Sequence, residues 1–172
     1  MSGAEKDVRA ERFRDPGGRL WRYRDRVLVR CPRCAGCATV LRPWDEGRGK
    51  VVGDPRLVCA GCGYTRRPKV VHCHHSGKTA SDSSSAAGYF GFPLWLQAPC
   101  RGRTLWAYNA EHLAVLKGYV GAGLREDARP RTAYTMVEIL PRWMKLAKHR
   151  GEVLRVLDRL QRALPESSDF SR

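Results

Sequence analysis

Cys31-Pro32-Arg33-Cys34 and, 24 residues further on, Cys59-Ala60-Gly61-Cys62 are the stretches that decide how this chain is read. A two-residue gap lets both thiolates of a CxxC pair point at one centre while backbone N–H groups neighbour the sulfurs. Two such pairs make a complete tetrahedral ligand set. Gly63, directly after the second pair, suits a tight turn, and Ala35-Gly36 supplies small residues after the first. The spacing therefore predicts one structural zinc ion held by Cys31, Cys34, Cys59 and Cys62.

The segments around these pairs read as short strands. Leu20 to Arg30 (LWRYRDRVLVR) runs into Cys31 and carries aromatic and β-branched residues. Thr39-Val40-Leu41, Val51-Val52 and Arg56-Leu57-Val58 follow, with turn chemistry at Pro43 to Gly47. Strand, turn and strand bring the two pairs together as an antiparallel ribbon.

CPRC…CAGCGY resembles the transcription factor IIB-type zinc ribbon and the cysteine-rich insert of the primosomal restart helicases. Over most of its length the chain is also similar to a family of small bacterial zinc-ribbon proteins. The stretches FGFPLWLQAPC…TLWAYN, within Tyr89 to Asn109, and LPRWMKLAKHR, at 140–150, carry that likeness. It implies a zinc ribbon and implies no activity. One departure stands out: Arg101-Gly102 follows Cys100 where Cys-Gly would be expected of relatives.

The rest of the chain reads as follows. Residues 1–18 form a charged, disordered basic arm ending in Asp15-Pro16-Gly17-Gly18. The ribbon occupies 19–75. A Ser-rich flexible loop covers 76–88 (SGKTASDSSSAAG), and the composition shift places a domain boundary near residue 80. From 89 to 165 an aromatic-rich segment, Tyr89 to Tyr108, read as short strands or extended chain covering a core, leads into about three helices, and 166–172 is a tail. Asn109 caps a helix from Ala110 to about Arg125, with Leu113, Leu116, Val120 and Leu124 on one side. A second helical stretch covers Ala133 to His149, interrupted at Pro141. A third covers Glu152 to Leu164, with Val153, Leu157, Leu160 and Leu164 in one stripe and Arg155, Arg159 and Arg162 opposite. The fold class is α+β.

Charge bounds the partners. Among 172 residues, 32 are Lys or Arg and 17 are Asp or Glu, a net charge of +15, and Arg supplies 25 of the cations. Codon bias toward Arg explains the ratio of Arg to Lys but not the net excess. Guanidinium groups grip phosphate in bidentate fashion and stack on bases, so the expected partner is nucleic acid. Three groups are basic: Arg19, Arg22, Arg24, Arg26 and Arg30, interleaved with Trp21 and Tyr23; Arg66, Arg67 and Lys69 after the second cysteine pair; and Arg142, Lys145, Lys148 and Arg150 beside Trp143. Binding is assigned to Arg66, Arg67, Lys69, Arg142, Lys145 and Lys148.

Other constellations are weaker. His72-Cys73-His74-His75 with Cys100 suggests a second metal at Cys73, His75 and Cys100, for which no fourth ligand is apparent; a polar loop with buried thiols is the simpler reading. Cys37 continues a CxxCxxC run, but the fourth Cys of an iron–sulfur site is missing, since Leu41 stands there; Cys37 reads as a small buried residue or bystander, with Cys34 and Cys37 as the alternative first pair. Gly77-Lys78-Thr79 lacks the leading Gly of a phosphate loop, because His72 occupies that position. No triad order, paired carboxylates or HExxH appears, so no enzymatic activity, nucleotide cofactor or membrane partner is expected.

Seven cysteines suit a metal site in a reducing compartment. The first fifteen residues hold no apolar export segment, and the expected location is cytoplasmic. The functional expectation is a non-catalytic zinc ribbon that binds nucleic acid. The alternative is a zinc-stabilised adaptor that meets a protein partner through the apolar Tyr89–Leu96 segment. A third reading, an enzyme using the His72–His75 cluster, would need a second metal with an open position.

Overall fold

The computed structural model describes residues 12–45, 47, 50–68, 88–126 and 134–165. The fold is α+β. Its centre is a four-stranded antiparallel sheet of β2 (Arg26–Arg30), β3 (Cys37–Leu41), β6 (Arg56–Val58) and β7 (Thr65–Arg66), in that order. Two short hairpins accompany it: β4 (Trp44–Asp45) with β5 (Lys50–Val51), and β8 (Gln97–Cys100) with β9 (Arg103–Trp106). Helix α1 (Ala110–Gly121), the single-turn α2 (Arg142–Lys145) and α3 (Arg150–Arg162) complete the described fold.

Paired residues on neighbouring strands share a face, so the register sorts the central sheet. Val27, Val40, Leu57 and Arg66 form one row, and Val29 pairs with Ala38 in the next. Val27, Val29, Ala38, Val40 and Leu57 are buried. The opposite face carries the rows Arg26–Leu41–Arg56 and Leu28–Thr39–Val58–Thr65. Its arginines are exposed and its Leu, Val and central Thr half-buried.

The aromatic segment adds to the free edge of β2 and turns Leu94 onto the core face beside Val29. Leu94 pairs with Val29, and backbone bonds join Arg30 N–H to Pro93 C=O (2.8 Å) and Trp95 N–H to Leu28 C=O (3.0 Å). Tyr89, Phe92, Leu94 and Leu96 are all buried there. The apolar run is therefore core, as its reading as extended chain over a core expects and unlike the alternative in which it meets a protein partner, because a sheet with one apolar face must bury it. Phe90 and Gly91 turn this segment with φ of 53° and 80°. One hydrophobic cluster draws on Val27, Val40 and Leu57 of the sheet together with Leu113, Leu116, Val153 and Leu157 of the helices.

Several elements depart from the sequence reading. Leu20–Arg24 is a 3₁₀ turn, not strand, and strand begins only at Arg26. The Asn109 amide donates to the carbonyls of both Tyr23 (3.1 Å) and Arg26 (2.9 Å), a clamp that no local pattern encodes. Within the expected arm, Arg12–Arg14 forms β1, parallel to β10 (Leu124–Glu126). Phe13 meets Tyr119 edge-on at 5.6 Å and lies against Gly118, where a Cβ would come within 3.3 Å of its ring.

This pairing ends α1 at Gly121, so Leu124 is an exposed strand residue, not a helical core one. Pro141 breaks the second helical stretch further than expected: 136–140 is turn, and extended Leu146 separates α2 from a 3₁₀ turn at Ala147–His149. Helix α3 buries Val153, Val156, Leu157 and Leu160 and exposes Arg155, Arg159 and Arg162, as its periodicity predicts. No helix among the described residues is long and apolar enough to cross a membrane.

Candidate metal centre

Each CxxC pair is the turn of a hairpin in the central sheet. The first joins β2 to β3 and the second joins β6 to β7, and the pairing of β3 with β6 places both turns at one end. The turns share one backbone pattern. Ala35 N–H donates to Cys31 C=O (2.9 Å) and Cys31 N–H to Gly36 C=O (2.8 Å); Gly63 N–H donates to Cys59 C=O (2.9 Å) and Cys59 N–H to Tyr64 C=O (2.9 Å). The residue after the second cysteine is left-handed in both, Ala35 at φ 58° and Gly63 at φ 68°.

The sulfurs of Cys31, Cys34, Cys59 and Cys62 lie within 4.8 Å of one another. Cys31 Sγ is 3.7 Å from Cys62 Sγ, and Cys34 Sγ is 3.6 Å from Cys59 Sγ. A tetrahedron with metal–sulfur bonds of about 2.3 Å has edges of about 3.8 Å. Both close contacts cross between the pairs, as one shared centre requires. These four residues are thus able to hold a metal ion, and they are the one such group among the described residues.

The thiols differ in acidity. Burial raises the Cys31 pKa, but backbone N–H groups of Cys34 and Arg33, with the Cys59 and Cys34 side chains, outweigh it and bring it down to about 7. At Cys62 the Tyr64 N–H favours the thiolate, but burial and the neighbouring sulfurs Cys34, Cys59 and Cys31 push the pKa up to about 12. Four sulfurs in this volume do not all ionise unaided, since each thiolate opposes the next. A cation at their centre removes that repulsion.

The other candidate ligands stand apart. Cys37 lies outside the group, and burial, with the charge at Cys59, pushes its thiol up to about 11. Cys73, His75 and the rest of the His72–His75 run lie outside the described residues. Cys100 is buried on β8, where burial and Glu152 raise its pKa.

The proposed phosphate-binding residues divide. Arg66 and Arg67 are exposed just beyond the second turn, and the Arg66 guanidinium stacks on Phe92 at 5.8 Å. Lys69 lies outside the described residues. Arg142 and Lys148 are exposed, but the Lys145 ammonium donates to Glu138 C=O at 2.6 Å, so part of its bonding capacity is internal. Arg26, Arg30 and Arg56, which the sequence reading did not assign to binding, share the open face of the sheet. Arg26 and Arg30 alternate with Leu28 along β2, a signal that was present; their alignment with Arg56 required the register. A separate pocket of about 350 Å³ lies among Leu116, Met136, Leu140, Met144, Trp106 and Trp143, with His112 in its wall.

No protein-family model matches the chain, and neither a curated protein nor a solved structure matches it significantly.

Proposed function

We propose that the chain is a zinc ribbon that binds nucleic acid and acts by binding, not by catalysis. The observation that carries this reading is the convergence of four cysteine sulfurs at one end of a sheet bordered by exposed Arg33, Arg66 and Arg67. Four thiolates at tetrahedral spacing suit zinc, which imposes no geometry of its own and accepts soft sulfur donors. A complete protein ligand set leaves no open position for substrate, the hallmark of a structural ion. The ion cross-links two turns that a small sheet could not hold alone, and so fixes the guanidinium groups relative to one another.

A net charge of +15 supports a polyanion as the partner. Metal analysis of purified protein should return one zinc per chain. Fluorescence anisotropy with labelled oligonucleotides across a salt series should give affinity that falls linearly on log–log axes. Affinity indifferent to salt, or no binding at low salt, removes the nucleic-acid reading. A protein partner is the second reading, favoured by the pocket and by Ile139 on its wall, which is 55% exposed. A stoichiometric protein retained after nuclease treatment would favour it.

A further inference from the structure

We propose that the bound nucleic acid is single-stranded and lies across the open face of the central sheet, on Arg26, Arg30 and Arg56. This rests on the nucleic-acid reading and assigns it a surface. In the row Arg26–Leu41–Arg56 the two outer arginines flank an apolar residue, and Arg30 lies further along β2 on the same face. Two strand spacings separate Arg26 from Arg56 by about 10 Å, and four residues separate Arg26 from Arg30 by about 13 Å. All three side chains are exposed. Among the described residues none of them forms a salt bridge, whereas the pairs Arg101–Glu152 and Lys117–Asp158 do. The β2, β3, β6 and β7 positions on this face include no carboxylate.

The space between the cations decides for a single strand. It is filled by half-buried Leu28, Leu41, Thr39 and Val58, which offer a largely apolar floor. A duplex presents phosphates and hides its base faces, so it would gain nothing from that floor. A single strand turns base faces toward the protein and leaves its phosphates for the guanidinium rim. The Arg30 guanidinium is already stacked on the indole of Trp95 at 5.3 Å. Trp95 is held in turn by its ring N–H, which donates to Ala163 C=O at 2.6 Å. Stacking orients the guanidinium edge and leaves its N–H groups available to phosphate.

The experiment compares wild type with two variants of equal charge loss, Arg26→Gln/Arg30→Gln/Arg56→Gln on the sheet and Arg155→Gln/Arg159→Gln/Arg162→Gln on the outer face of α3. Anisotropy is measured against oligo(dT), oligo(U) and a duplex over a salt series, with metal content and circular dichroism confirming that each variant is folded. The sheet variant should lose about two units of log–log salt slope, near 0.7 per phosphate for single strands. The α3 variant should stay close to wild type, and the duplex should bind more weakly than either oligonucleotide. Photocrosslinking of wild type to oligo(U) should label peptides containing Leu28 or Val58, an independent readout that needs no variant. Equal slope losses in the two variants, or tighter binding of duplex, overturn the inference while nucleic-acid binding stands. Absence of salt-dependent binding by wild type overturns the functional reading itself.

Discussion

The sulfurs of Cys31 and Cys62 lie 3.7 Å apart across 31 residues of sequence, in two turns with no backbone hydrogen bond between them among those outside the strands. The pairing of β3 with β6 brings the two turns to one end, but the sulfurs oppose one another there as they ionise. A structural zinc contributes on the order of 10 kcal/mol in ribbon-sized units, comparable to the whole stability of a typical domain. Chelation, or Cys59→Ser, should therefore unfold the central sheet. β2 is hydrogen-bonded to the aromatic segment and Leu57 shares the helices' core, so the helices should lose protection in the same transition. Hydrogen exchange on zinc-loaded and chelated protein checks this; α1 and α3 retaining full protection after chelation would refute it.

The two turns differ in the residue that takes the left-handed conformation. Ala35 occupies the left-handed conformation that Gly63 occupies in the second turn. A side chain there costs about 1–2 kcal/mol, partly offset by the lower unfolded-state freedom of Ala. Ala35→Gly should be neutral or stabilise by up to about 1 kcal/mol, and Gly63→Ala should destabilise by about 1 kcal/mol. No atom lies within 4 Å of a Cβ built on Gly63, so the effect is conformational and not steric. Urea unfolding of both zinc-loaded variants measures it; a loss in both, or a gain in both, contradicts the shared geometry.

These turns also show how far the sequence could be read. Cysteine spacing is a local signal, so the four-cysteine cluster was legible, as were α3, whose Val153–Leu157–Leu160 stripe follows helical period, and the strands beside the cysteines. Ala35 was not, because the pattern suggested that small residues suffice without saying which one is left-handed. Tyr89–Leu96 was legible as extended chain belonging to a core; the alternative, a docking surface, has the same apolar signature, and only the apolar face of β2, β3 and β6 decides for core. Likewise Arg12–Arg14 becomes strand only because Leu124–Glu126 is its partner, more than a hundred residues away.

Asn109 performs two tasks with one amide. Its Oδ1 accepts the His112 N–H at 2.9 Å and caps α1, while its Nδ2 donates to Tyr23 and Arg26 and ties the helix to the start of β2. Asn109→Ala loses the cap and leaves two carbonyls without a donor, a loss of about 2 kcal/mol. Asp caps helices as well as Asn does, but here it would set a carboxylate oxygen against two carbonyls. Asn109→Asp should therefore be at least as unstable as Asn109→Ala. Chemical denaturation of the two variants settles it, and an Asp variant close to wild type would show that the clamp contributes little.

His112 gives the fold a pH dependence. Its ring stacks on Tyr23 at 5.1 Å, and its Nδ1 accepts the Tyr108 N–H at 3.2 Å, which requires the neutral imidazole. Burial lowers its pKa from the ordinary 6.5 to about 3. Between those values the unfolded chain binds the proton and the folded chain does not. Stability from this residue is complete above pH 6.5 and is lost as pH falls toward 3, by about 1.4 kcal/mol per pH unit. Acid also protonates the cysteines and releases metal, so wild type alone does not isolate the effect. His112→Gln keeps an acceptor for Tyr108 and removes the titration. It should be less stable than wild type at neutral pH, and the gap should narrow steadily on acidification below pH 6.5. Unfolding free energies of both proteins across that range test this directly; a gap that stays constant would mean His112 is protonated in the fold.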